Sequence, residues 1–136
     1  MLIVDAGPLY AASARRDDDH LRCVELLRSA SRPLVVPALV VTEVAYLLGD
    51  RIGPVAELAF GRSIAAGELE VEPVSGPDWE RVVALIERYA DLPLGMVDAS
   101  VVALAERIGA TEIATLDHRH FATVRPRHVD AFTLVP

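Results

Sequence analysis

No lysine, asparagine or glutamine occurs in the 136 residues, and cysteine occurs once. The missing lysine excludes Schiff-base chemistry and the phosphate-gripping lysine of a P-loop. Without side-chain amides, metal ligands and base-reading groups must come from other residue types. With Cys23 alone, no intrachain disulfide can form and a zinc–cysteine framework is excluded; the thiol reads as a buried group on a helix. Long apolar runs are missing too. Residues 33–48 come closest, but Thr42 and Glu43 interrupt them, short of the roughly 18 residues a spanning helix needs. The opening Met1-Leu2-Ile3-Val4-Asp5 has neither the basic start nor the long apolar stretch of a signal peptide. A cytoplasmic location is the expectation.

What is present suits a packed globule of one domain, residues 1–136: a hydrophobic fraction of 52% and a mean hydropathy of +0.34. The net charge of −7 speaks against a nucleic-acid partner at first sight. A carboxylate cluster that holds divalent cations would contribute to that count without repelling a phosphate. The remainder is then mildly acidic, with arginines free to group on one face.

In chain order, Leu2-Ile3-Val4 reads as a buried strand ending at Asp5, followed by a helix over 8–15 with Pro8 in its first turn. Asp17-Asp18-Asp19 announces a second helix, with Leu21, Val24, Leu26 and Leu27 on its packed face. Residues 34–36 form a second buried strand between prolines, and 39–48 and 55–66 are helices separated by Gly49 and Gly53-Pro54. Residues 69–74 alternate at period two, as a strand with one wet side does. Ser75 to Asp78 cap a helix over 79–89. A loop precedes a strongly helical stretch over 97–108, stopped by Gly109. A strand over 112–116 ends at Asp117, a short turn or helix spans 118–121, and 131–135 form an edge strand. Strands alternating with helices imply an α/β fold: three layers, with a mainly parallel central sheet.

Ligands on such folds collect beyond the carboxyl ends of the strands. Asp5 and Asp117 each follow an apolar run directly, although a strand-end aspartate also serves as an ordinary helix cap. Glu43 is sharper, a lone charge in Val41-Thr42-Glu43-Val44, which must emerge at a helix edge or be buried with a partner. Asp98, in Leu94-Gly95-Met96-Val97-Asp98-Ala99-Ser100, suits an N-cap or a metal ligand, and the two are compatible. Four converging carboxylates would raise one another's pKa unless a hard cation such as Mg²⁺ or Mn²⁺ neutralised them. His118, His120 and His128 fall in one late segment without a zinc-helix spacing and read as surface imidazoles.

These segments, together with Ala114-Thr115-Leu116-Asp117-His118-Arg119-His120-Phe121, resemble the PIN-domain ribonucleases, and within them the VapC-type toxins of bacterial toxin–antitoxin pairs. The resemblance covers essentially the whole chain. It implies a Mg²⁺-dependent endoribonuclease, with Mn²⁺ as an alternative cation, whose acidic site falls on Asp5, Glu43, Asp98 and Asp117. It also implies a homodimer held inactive by a VapB-type antitoxin, in a heterotetramer or larger complex. Arg15, Arg119 and Thr115 are the candidate substrate contacts, with Thr115 also a support for Asp117; Arg16, Arg125 and Arg127 are further phosphate candidates. Ala6-Gly7-Pro8 stands where many relatives place a serine or threonine, and His118-Arg119-His120 where some carry another acid. Other readings are a PIN fold that binds RNA with a weakened site, a receiver-like phosphoacceptor domain, and a nucleotide-binding module. The receiver lacks its lysine, and the nucleotide module lacks any GxGxxG or GxxxxGK run.

Overall fold

Leu2, Ile3 and Val4 are fully buried, so neither face of their strand meets water, and they form the central strand β1 (Leu2–Val4) of the computed structural model, which describes residues 1–136. The elements then run α1 (Ala6–Ser13), α2 (His20–Ser29), β2 (Leu34–Pro37), α3 (Ala38–Arg51), α4 (Pro54–Ala65), β3 (Glu70–Glu72), α5 (Gly76–Arg88), α6 (Met96–Ile108), β4 (Glu112–Ala114), α7 (His118–Thr123) and β5 (Thr133–Val135). The five strands lie in the order β3-β2-β1-β4-β5 and every pair is parallel. Crossing from β3 to β4 requires α5 and α6, whose many apolar positions pack into one contiguous core with Val40, Val44, Phe121 and the central strands. The result is a three-layer α/β/α fold. No helix is long and apolar enough to cross a membrane.

Strand order reverses at β1. The chain builds outward through β2 to β3 on one side, then returns to pair β4 with β1 on the other. That places the carboxyl ends of β1 and β4 side by side at the switch point, where this architecture opens a crevice.

Several boundaries differ from the sequence expectation. Helix α1 begins at Ala6, with Asp5 as N-cap, and Pro8 fits inside the first turn because its missing N–H has no intrahelical acceptor there. β4 stops at Ala114, not Leu116, because the Asp117 amide donates to the Thr115 hydroxyl at 3.0 Å and folds the chain out of the ladder. Asp117 therefore caps α7 instead of ending the strand. β3 shrinks to residues 70–72, stopped by Pro73, which has no N–H to donate. On α2 only Cys23 is buried, and Leu21, expected on the packed face, is 81% exposed. Gly95, not Asp98, is the N-cap of α6; Asp98 sits in the first turn.

Away from the crevice, α5 and α6 are joined by paired charges. A Ser75–Asp78 capping box opens α5, and Asp78 also accepts from Arg107 Nε at 2.9 Å. Arg81 grips Glu106 with two nitrogens at 2.8 and 2.9 Å.

Candidate active site

A crevice of about 600 Å³ opens beyond β1 and β4, and Asp5, Glu43, Asp98 and Asp117 all line it. Each comes from a different element. Asp5 is the N-cap of α1, Glu43 lies in the middle of α3, Asp98 in the first turn of α6, and Asp117 caps α7. The backbone brings them close: a β-carbon at Gly7 would come within 3.2 Å of the Leu116 β-carbon, so α1 and the segment before α7 approach as nearly as a glycine allows.

Asp5 is only 6% exposed, and its Oδ2 accepts from the Thr115 hydroxyl at 2.9 Å. Burial pushes its pKa up to about 6, helped by the charges of Asp98 and Glu43 and opposed by the Ala6 amide and Thr115. Glu43 stands at the open rim, yet partial desolvation and the Asp98 charge raise its carboxyl as well. Asp98 and Asp117 share one neighbour. His120 Nδ1 lies 2.7 Å from Asp98 Oδ2 and 3.0 Å from Asp117 Oδ2, while the His120 amide donates to Asp117 Oδ1 at 3.2 Å. No arginine forms an ion pair with any of the four acids.

His120 was expected at the surface and instead belongs to the site. Its spacing from Asp117 is that of a helix N-cap and the third helical position, whose side chain folds back over the cap. Thr115 is fully buried and cannot touch a substrate; it positions Asp5 through its hydroxyl and Asp117 through its lone pair. Arg119 and His118 line the crevice. Arg15 and Arg16 do not; they line a separate depression at the far end of α1. The backbone amides of Arg125 and Arg127 are held by Tyr89 and Glu106, at the α5–α6 side.

Chemically, the donor set fits a divalent cation. One ligand atom each from Asp98, Asp117 and His120 lie within 4.8 Å of one another, with Asp5 and Glu43 adding oxygen donors from across the crevice. Asp5 and Glu43, whose proton affinities are raised by burial and by neighbouring carboxylates, with no arginine ion-paired to them, are an electrostatic arrangement a bound cation would complete.

Residues 2–125 match the PIN domain family. Over 135 residues, 99% of this chain and the whole of the relative, the sequence is 36% identical to ribonuclease VapC26 of Mycobacterium tuberculosis. The chain belongs to the PIN-domain family. Solved structures agree on the fold. The Mycobacterium tuberculosis toxin VapC20, described as cleaving the sarcin–ricin loop, superposes with a TM-score of 0.81 at 21% identity, covering 87% of this chain and 91% of that one. VapBC2 of Rickettsia felis, solved with a DNA fragment from its promoter, gives 0.71 at 14% identity, covering 99% and 98%.

Proposed function

We propose that this PIN domain is an endoribonuclease that hydrolyses RNA phosphodiester bonds with a divalent cation, Mg²⁺ or Mn²⁺, and acts as the toxin of a VapB–VapC-type pair. The observation that carries the reading is the crevice at the β1–β4 switch point, into which four elements each deliver one carboxylate, none of them ion-paired with an arginine. The ribonuclease name of a 36% identical full-length relative supports RNA as the substrate. Similarity in fold to a toxin–antitoxin complex supports an antitoxin partner, and exposed Tyr46, Val55 and Leu58 on α3 and α4 leave apolar surface for that partner or for a second copy in a homodimer.

Asp98, Asp117, Asp5 and Glu43, with His120 beside them, would hold the cation, which would supply Lewis acidity at the reacting phosphate. The chain's own groups do the rest. Thr115 holds Asp5 and the Asp117 loop in one arrangement, so the acids need not reorganise during the reaction. The proton of the water attacking phosphorus in line would pass to one of the crevice carboxylates; the bond that breaks is to the 3′ oxygen. Arg119 at the rim offers a guanidinium to the phosphate.

The test is cleavage of single-stranded RNA by the purified chain with Mg²⁺ or Mn²⁺, with EDTA, and with the Asp98→Asn variant. Cation-dependent cutting that Asp98→Asn abolishes while unfolding cooperatively is the expected result. Equal cutting by the variant, or none by the wild type with either cation, would overturn the reading. For the toxin role, growth arrest on expression in a bacterial host should be relieved by the neighbouring antitoxin reading frame.

A further inference from the structure

Helices α1 and α3 pack against each other, and each lines both the acidic crevice, through Ala6 and Gly7 on α1 and Glu43 and Leu47 on α3, and a second depression, through Tyr10 and Ser13 on α1 and Arg51 on α3. That depression, about 690 Å³, is lined by Tyr10, Arg15, Arg16, Asp17, Arg51 and their neighbours. Three of the chain's 13 basic residues meet there, in a molecule whose net charge is −7. None of the three is neutralised by a salt bridge, whereas Arg22, Arg32, Arg81 and Arg107 all are. The one carboxylate among them, Asp17, turns back to accept from the Asp19 amide at 2.8 Å. Arg51 is not loose: its guanidinium sits 5.4 Å over the Tyr10 ring, which holds the planar group in place without consuming its hydrogen-bond donors.

The distance is the informative part. Glu43 and Arg51 lie on one helix, 43 to 51, about 12 Å apart at 1.5 Å per residue. A nucleic-acid strand whose reacting phosphate sits among the acids reaches the arginines a few nucleotides further along. Guanidinium forks match phosphate geometry. We infer that the Arg15–Arg16–Arg51 depression is a phosphate-binding subsite that grips the RNA strand beside the cleavage point. The inference rests on the nuclease reading. It explains how an acidic protein holds a polyanion: the attraction is concentrated in one place and aligned with the crevice by two helices.

Salt dependence distinguishes a phosphate subsite from a structural role. In an Asp98→Asn background, which leaves RNA uncut, fluorescence anisotropy with labelled single-stranded RNA gives the slope of log K against log salt. Replacing Arg15, Arg16 and Arg51 by alanine should flatten that slope by about 2, at about 0.7 per lost phosphate contact on a single strand. A dinucleotide too short to reach the depression should bind both proteins alike. If the triple variant fails to fold, the single variants Arg15→Ala, Arg16→Ala and Arg51→Ala each carry the test, with about 0.7 expected from each. An unchanged slope with RNA still bound overturns the subsite and leaves the nuclease reading standing. No RNA binding by either protein overturns both. Lost affinity for poly-glutamate with an unaltered RNA slope would make the depression a dock for acidic peptide, and that also overturns the proposal.

Discussion

Two regions of this molecule treat carboxylates in opposite ways. Along the α5–α6 seam, Asp78 and Glu106 are largely buried and each is matched by an arginine at hydrogen-bond distance, Arg107 and Arg81. At the crevice, Asp5, Glu43, Asp98 and Asp117 line one opening, and none of them is ion-paired with an arginine, the imidazole of His120 alone lying between Asp98 and Asp117. The first arrangement is electrically complete and fastens two helices together. The second leaves the proton affinities of Asp5 and Glu43 raised, Asp5 to about 6, which weakens the isolated fold at neutral pH and is what a bound cation would relieve. A buried acid alone therefore does not mark a site; a buried acid such as Asp5, beside other acids and without an arginine partner, does.

The largest expected effects come from exchanging these behaviours. Arg81→Ala strands Glu106 and should lower unfolding free energy by about 2–3 kcal/mol, less than a fully buried pair because both side chains keep some solvent contact. Its RNA cleavage should stay within about twofold at temperatures where it is folded, as no group at the crevice changes. Asp98→Asn should do the reverse, costing at least about 10²-fold in cleavage with little loss of stability. Denaturant melts and initial rates on the same samples check both. If the two variants behave alike, the contrast between seam and crevice is wrong.

A second effect concerns pH. The folded-state pKa of Asp5 lies above its unfolded value of 3.8, so the folded chain binds that proton more tightly. Its contribution to stability is complete below about pH 4 and lost as pH rises through about 6, a change on the order of 3 kcal/mol without a cation. Asp5→Asn should remove this slope, so that at pH 7.5 without divalent ions the variant melts above wild type and the gap closes toward pH 4. Parallel melting curves for the two proteins across that range would contradict the raised affinity.

Most of this arrangement is legible in the sequence. The apolar run before Asp5 and the breaks at Gly53 and Gly109 fix the alternation of strands and helices, and a charge inside an apolar helix marks Glu43. What the sequence hides depends on side-chain geometry. Thr115 reads as a substrate contact and a support for Asp117; its support of Asp117 holds, but its hydroxyl is buried, ends β4 and also ties Asp5 to the Asp117 loop. His120 reads as a surface imidazole until Asp117 is known to cap α7, which turns the histidine back over the acids. Arg15 belongs with Arg51, and only the packing of α1 on α3 shows that.

A smaller effect isolates Thr115. Thr115→Val keeps the shape but removes the hydroxyl that positions two of the acids, and should lower cation affinity or cleavage about 10–100-fold. Thr115→Ser should restore most of it, whereas equal loss in both variants would mean the methyl group and its packing matter instead. Calorimetric cation titration separates affinity from rate.

The central claim is that the four acids converge to hold a divalent cation, and thermal unfolding with and without Mn²⁺ or Mg²⁺ at pH 7.5 tests it most directly. At a cation concentration 100 times its dissociation constant, binding to the folded chain alone should add about 2.7 kcal/mol, seen as a raised melting temperature that disappears when Asp98 and Asp117 are both asparagine. A wild-type melting temperature that neither cation moves, or one that rises equally in the double variant, would contradict it.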